Sequence, residues 1–399
     1  MRRIFMLRNF MILALTGFSM LIGCSPVDFD TKPCGENCKS VVVGPEGIAN
    51  FWGDYQVKVP KADILFVIDN SNSMITEQQR IASSFSGLLN TLSGIQWQIG
   101  ITTMDIGPNS RAAVGDEMYL GIPADLYSDY YDANLQDGNL ITFASGSKLL
   151  KHNDPYKAYR FQQAIQIGDS GTDDERGIFA ASLALRNNMY SLVRSDSSHV
   201  AIVMLSDEDV RSSGDRDLGA GYNGYRPIRY EDTADYLADT WELVQAERGS
   251  KNLSVHSIII RDGDENCYQQ QKNQSAGNNY AEYGSMYQEL SNDTRFRGIV
   301  GNICASSYTN QIKNMGRDMA EKARSIPLSL NCPVITDNSE YPFEITVKKN
   351  SGQEYKFLLG EEPPAGSGIA NVRAESGVLI FEPALSSGDE VTYNGFCNR

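Results

Sequence analysis

A doubly wound, mostly parallel α/β sheet followed by a small all-β domain is the fold class this sequence predicts, and three features of its hydrophobic pattern predict it. Continuous apolar runs at residues 64–68 and 200–205 have the length and two-sided apolarity of strands buried inside a parallel sheet. Between such runs apolar residues recur at helical spacing, as at Ile81, Phe85, Leu88 and Leu92, so strand and helix alternate. Beyond about Leu330 the period changes to two, with Phe343, Ile345 and Val347 separated by polar residues.

In chain order, residues 1–23 carry Arg2, Arg3 and Arg8, an apolar run over 11–22 and no acidic residue, which reads as a secretory signal. The run is short for a membrane-spanning helix, which needs about 20 apolar residues. Residues 24–60 are polar and punctuated by Gly and Pro, and read as a spacer in which no core is expected.

The α/β domain is placed at 61–328. Its first strand and helix are those above. A second strand over 97–104 leads into a long tyrosine-rich insertion, from which residues 140–143 return as a hairpin partner. Ile178, Ala181, Leu185 and Leu192 mark a helix, residues 200–205 a strand, 236–244 an amphipathic segment and 253–260 another strand. Residues 296–303 read as the last strand, before a helix presenting Ile312, Met315 and Met319 on one face. The β-rich domain is placed at 330–399, with a turn at Asn350-Ser351-Gly352 and strands around 378–381 and 391–393.

An apolar fraction of 41% over 399 residues suits a folded chain with a sizeable core. Loss of Arg2, Arg3 and Arg8 with the signal leaves 32 basic against 50 acidic residues, a net charge of −18. Such a surface repels nucleic acid and anionic lipid. After Cys24 come Cys34, Cys38, Cys267, Cys304, Cys332 and Cys397, an even number that in an exported protein points to three disulfides. Proximity along the chain favours Cys34 with Cys38, Cys267 with Cys304, and Cys332 with Cys397; the spacings and the three histidines fit zinc less well.

Asp69-Asn70-Ser71-Asn72-Ser73 follows directly on the first apolar strand, at the carboxyl edge where open α/β sheets place their ligands. One carboxylate and two hydroxyls at alternate positions of a tight loop can turn oxygens toward a common point. Hard oxygen donors suit Mg²⁺, with Ca²⁺ or Mn²⁺ as alternatives, and uncharged hydroxyls leave such an ion electrophilic toward an acidic group of a partner.

This D-x-S-x-S loop resembles the metal-ion-dependent adhesion site of von Willebrand factor A domains. The resemblance extends over about residues 60–328 and implies two more contributing loops. Thr172, before the helix containing Leu185, would supply a third hydroxyl; the same residue also begins a helix-capping pattern with Glu175. Asp207, at the end of the 200–205 strand, matches the family aspartate that holds the ion directly or through water. Glu208 stands where the family has glycine, and Glu208 and Asp209 read as a solvated turn, with a second cation on one of them as the alternative. Tyr127, Tyr130, Tyr131, Tyr222 and Tyr225 fall in loops that the family places on the metal face, where tyrosines suit protein or glycan recognition or fold the loop onto its own domain.

Leu21-Ile22-Gly23-Cys24 resembles a bacterial lipobox, which implies cleavage before Cys24, acylation of that cysteine and, with Ser25 following, sorting to the outer membrane of the envelope. Together these resemblances imply a lipid-anchored adhesin or scaffold that takes a carboxylate of a protein partner, or a glycan, through the metal. An envelope component with a vestigial site is the alternative. A metal-dependent hydrolase fits less well, because the candidate loops offer acidic residues and no histidine as general base, so a non-enzymatic role is expected.

Overall fold

The computed structural model describes residues 38–43, 48–106, 136–169, 176–197, 199–210, 230–249, 251–274, 281–328, 334–335, 341–375 and 378–398. The central sheet has six strands in the order β5-β4-β3-β6-β7-β8. These are β3 (Lys61–Ile68), β4 (Gln96–Thr103), β5 (Leu150–Lys151), β6 (His199–Leu205), β7 (Asn252–Ile259) and β8 (Val300–Asn302). All neighbours run parallel except β4 and β5. The apolar runs lie here because both sheet faces are covered.

One face packs under α1 (Ile75–Thr91), α2 (Lys157–Ala164) and a late helix (Thr309–Arg324), with Phe66, Phe85, Phe161 and Met315 buried between. The other packs under α3 (Gly177–Asn187), α4 (Met189–Leu192), α5 (Tyr230–Arg248) and a helix at Ser285–Asn292, around Leu65, Val67, Ile202 and Tyr287. With α6 (Glu265–Gln274) between them, these last two helices are α7 (Ser285–Asn292) and α8 (Thr309–Arg324). A disulfide joins Cys267 on α6 to Cys304 just after β8.

Three details differ from the sequence reading. Residues 140–143 form no strand: Ile141 N–H donates once to the Ile101 carbonyl (2.8 Å), while Leu140 is buried on one face of the sheet and Phe143 on the other. The segment wraps the sheet edge, and β5 takes the edge position. The last strand is limited to Val300–Asn302, with Phe296 buried in the turn before it.

The third difference concerns the expected spacer. Residues 48–56 are a strand, β2 (Ile48–Gln56), preceded by β1 (Cys38–Val43). β2 lies between β1 and β14 (Glu390–Asn398), in a five-stranded antiparallel sheet completed by β10 (Glu344–Lys348) and β11 (Glu354–Leu358). A second antiparallel sheet holds β12 (Asn371–Glu375), β13 (Val378–Glu382) and β9 (Ile326–Pro327). The two share one core, in which Ala49 and Phe51 of β2 meet Phe343, Ile345, Leu379, Val391 and Tyr393. The inward face of β2 is Ala49, Phe51 and Gly53, so only one large apolar side chain marks its alternation, and one of its two partner strands, β14, lies more than 300 residues away.

Between β6 and β7 runs a chain of buried polar side chains. His256 Nδ1 accepts the Ile299 N–H (3.1 Å), which leaves the ring proton on Nε2, facing Ser254 Oγ (2.9 Å); that hydroxyl meets His199 Nε2 (3.0 Å). Burial, with Lys322 nearby, holds His256 down to about 3 and His199 well below the ordinary histidine range.

Two predictions follow from this packing. The unfolded chain binds protons on these histidines near pH 6.5 and the folded chain does not, so their contribution is complete above that pH. The His256 part falls at roughly 1 kcal/mol per pH unit as acid is added toward pH 3. Urea unfolding at pH 7, 6 and 5 should show a shallower acid loss for His256→Gln than for the parent; equal slopes would refute it. Phe51→Ala should cost about 3–5 kcal/mol in the same assay, whereas a spacer residue would cost nothing measurable.

Candidate functional site

Parallel register assembles the site. Ile68 of β3 pairs with Leu205 of β6 and with Thr103 of β4, so the residues leaving the three strands emerge side by side. Backbone bonds lock this edge: Asp69 N–H donates to Leu205 O (3.0 Å) and Met104 N–H to Ile68 O (3.2 Å). Asp69 thereby comes beside Ser206 and Asp207, which are more than 130 residues away in sequence.

The loop after β3 folds on its own carboxylate. Asp69 Oδ1 accepts the Ser71 N–H (2.8 Å), and Oδ2 accepts the Ser206 hydroxyl (2.7 Å). Ser71 Oγ and Ser73 Oγ lie 3.1 Å apart, and Ser73 Oγ donates to Asp207 Oδ1 (3.0 Å). A single tight turn at Asn72–Met74 then leads into α1, whose amino end carries the partial positive charge of its free N–H groups. Asp69, Ser71, Ser73 and Asp207 thus form one hydrogen-bonded group.

Asp69 and Asp207 are both fully buried. Burial raises the Asp69 carboxyl above its ordinary range, against the bonds from Ser206 and Ser71. Burial, then the charges of Asp69 and Glu208, raises Asp207 well above it. Asp207 Oδ2 is buried with no hydrogen-bond partner among the described residues. A carboxyl oxygen buried without a partner, beside a second buried carboxyl, is a local demand for a positive charge, which a cation or a proton can meet. Among the described residues no group of three or more His, Cys, Asp or Glu side chains forms a metal cage. The donor set here is of another kind, two carboxylates and two hydroxyls, and its hard oxygens fit Mg²⁺.

Thr172 lies outside the described residues, but the residues flanking it are anchored at this edge. Gln78 Nε2 donates to both Asp69 O (3.1 Å) and Gly168 O (2.9 Å), while its Oε1 accepts the Gly168 N–H (3.1 Å). On the far side of Thr172, Arg176 N–H donates to Met104 O (3.2 Å).

Glu208 and Asp209 are not a solvated turn. Glu208 is buried and its N–H donates to Ser206 Oγ (3.1 Å). Asp209 is pushed up to about 7 by burial, and both its oxygens accept the Met286 N–H (3.0 and 3.2 Å). It caps the first turn of α7, whose own Gly284 offers no capping side chain. The residue in the glycine position is buried because residues 281–284 cross over this loop, where Glu282 N–H donates to Asp207 O (3.1 Å).

Sequence reasoning missed Ser206, Gln78 and the Asn70–Asp105 bond (2.7 Å). Gln78 carried a signal: it lies on the same helical stripe as Ile81, Phe85 and Leu88, where a polar residue must find an internal partner. Tyr127, Tyr130, Tyr131, Tyr222 and Tyr225 lie outside the described residues, as do Cys24, Cys34 and Cys332. Only the backbone of Cys38 is described, and Cys397 is disulfide-bonded.

No protein-family model matches the sequence, and no curated relative does. Solved structures that resemble the chain include the pilus adhesin SpaC of Lactobacillus rhamnosus GG in its open conformation. That likeness has 12% identity and a TM-score of 0.32, and covers 90% of this chain and 42% of the adhesin. Another is a von Willebrand factor type A protein of Catenulispora acidiphila, with 10% identity and a TM-score of 0.33 over 93% of this chain and 67% of that one. A third is the ArnB paralog VWA2 of Sulfolobus acidocaldarius, with 10% identity and a TM-score of 0.23 over 92% and 64%. The chain spans less than half the length of the pilus adhesin. The α/β architecture itself rests on strand order and register.

Proposed function

We propose that the carboxyl edge of the sheet is a divalent-cation site of the von Willebrand factor A type. Asp69, Ser71, Ser73 and Asp207 hold Mg²⁺, or Ca²⁺ or Mn²⁺, with Thr172 as the further ligand that the sequence resemblance supplies. The protein is then an adhesin or scaffold of the bacterial envelope, attached through lipid on Cys24. The observation that carries this reading is the buried Asp207 carboxyl, whose Oδ1 accepts from Ser73 and whose Oδ2 has no hydrogen-bond partner among the described residues, in one group with a second buried carboxylate and two hydroxyls.

When bound, the cation supplies an electrophilic position for a carboxylate oxygen of a protein partner or an acidic glycan. The chain's own residues prepare it. Ser206 fixes the rotamer of Asp69, Gln78 pins the loop backbone, and the α1 amino end favours an approaching anion. Binding is favoured over hydrolysis because His199 starts β6 at the opposite end of the strand, and His256 is sealed within the sheet, so neither stands at this edge as a base. Among the described residues no helix is long and apolar enough to cross a membrane.

Titration calorimetry with Mg²⁺, Mn²⁺ and Ca²⁺ is the test. The parent should bind one ion per chain, and Asp69→Ala and Ser73→Ala should each lose at least about tenfold in affinity, which is about 1.4 kcal/mol. Asp207→Asn replaces a buried carboxyl whose ionisation the site opposes, so with chelator present it should leave or raise the melting temperature while abolishing the rise that Mg²⁺ gives the parent. Failure of all three ions to bind the parent would leave the alternative of an envelope component with a vestigial site.

A further inference from the structure

A third buried carboxylate stands beside the candidate cation ligands. Glu77 lies in the first turn of α1, four residues after Ser73, and its side chain is fully buried. Its Oε1 accepts from Arg80 Nη1 (3.0 Å) and Gln271 Nε2 (3.3 Å), while Oε2 has no hydrogen-bond partner among the described residues. Behind burial and the charges of Asp69 and Glu208, the Glu77 charge also raises the Asp207 carboxyl. Glu77 therefore acts on the cation site without belonging to its loops.

Both donors to Glu77 are placed by the Cys267–Cys304 disulfide. Gln271 follows Cys267 by one helical turn on α6, and its Nε2 lies 3.7 Å from Cys304 Sγ, a weak sulfur acceptor. Arg80 Nη1 also donates to the carbonyl of Ile303 (3.3 Å), next to Cys304, and the Tyr308 hydroxyl donates to the same oxygen (2.7 Å). The bridge joins α6 to the segment after β8 at the level of these contacts.

The two cysteine segments are also held together without sulfur. Asp264 Oδ1 accepts the Cys267 N–H (3.2 Å) and Oδ2 accepts Asn302 Nδ2 (2.9 Å), while Asn302 Oδ1 accepts the Cys304 N–H (2.8 Å). Opening the bridge therefore leaves the backbone tied and changes the side chains packed on it. Cys304 is half-buried and Cys267 buried, so the Cys304 sulfur is the end that an incoming thiolate reaches.

We propose that the Cys267–Cys304 disulfide is a redox switch on the cation site, acting through Gln271 and Glu77; the proposal rests on the cation-site reading given above. The reductant is a dithiol. Its thiolate attacks Cys304 Sγ, the bond to Cys267 breaks, and Cys267 leaves as a thiolate that takes a proton. The second thiol of the reductant then attacks the mixed disulfide, closes its own disulfide and releases the Cys304 thiol. Two thiols stand farther apart than two bonded sulfurs, so Gln271 is no longer held between Cys304 and Glu77. Glu77 keeps only Arg80, turns toward that partly exposed guanidinium and withdraws its charge from the cation.

The test uses the full chain, titrated with Mg²⁺ in the calorimeter as oxidised protein and again after dithiothreitol treatment and desalting without air. Reduction should weaken binding at least about fivefold while circular dichroism stays unchanged. Cys267→Ser with Cys304→Ser should match the reduced parent and respond to dithiothreitol no further, which separates this bridge from the other cysteines. Glu77→Gln should bind several-fold more weakly, and equally whether oxidised or reduced, because both changes remove the same interaction. Equal binding by oxidised and reduced parent overturns the switch and leaves the cation site standing. Equal loss on reduction in Glu77→Gln and parent, or loss of the fold on reduction, also overturns it. No binding by the oxidised parent removes the cation-site reading and the switch with it.

Discussion

The parallel pairing of β3 with β6, in the register that sets Ile68 against Leu205, is the constraint on which the candidate site depends. It places the first residue after one buried strand next to the first two after another. A slip of one residue would turn Asp69 to the other side of the sheet edge and part it from Ser206. Because both strands are apolar on both faces, their fit between two helical layers is what fixes that register.

At the same edge two buried carboxyls meet with no ion pair to either among the described residues. Asp69 and Asp207 are buried within one hydrogen-bonded group, Glu77 and Glu208 add to the field at Asp207, and the hydroxyls between them carry no compensating charge. Elsewhere the chain treats buried carboxylates differently. Asp63 lies equally deep in β3 but receives the Arg194 backbone N–H (2.8 Å) and the guanidinium Nε (2.7 Å), and Asp209 is spent on a helix cap. The contrast between a carboxylate given an arginine and one left with an open oxygen separates structural acids from the candidate ligands.

The β-domain shows a second use of distant pairing. Its five-stranded sheet takes β1 and β2 from before the α/β domain and three strands from after it, so the α/β domain is an insertion between paired strands. β9 continues from α8 and pairs with β13, while Arg373 on β12 forms an ion pair with Glu321 on α8. Closing the sheet therefore ties both ends of the α/β domain to one core.

The sequence by itself determined what depends on neighbours in the chain. The apolar runs declared the buried strands, the stripe from Ile81 to Leu92 declared α1, alternation at Phe343, Ile345 and Val347 declared β10, and the Asp69–Ser73 loop could be located at a strand end. Gln78 left a trace as a polar residue on an apolar stripe, but its partners were not read from it. Tertiary structure alone decided the rest: that residues 48–56 are a strand rather than a spacer, that Leu140 and Phe143 wrap a sheet edge, that Asp209 caps α7, and that Ser206 steadies Asp69. Each of these rests on a partner tens to hundreds of residues away. Local periodicity records which face a residue presents, but the surface it meets is chosen only when the sheets close.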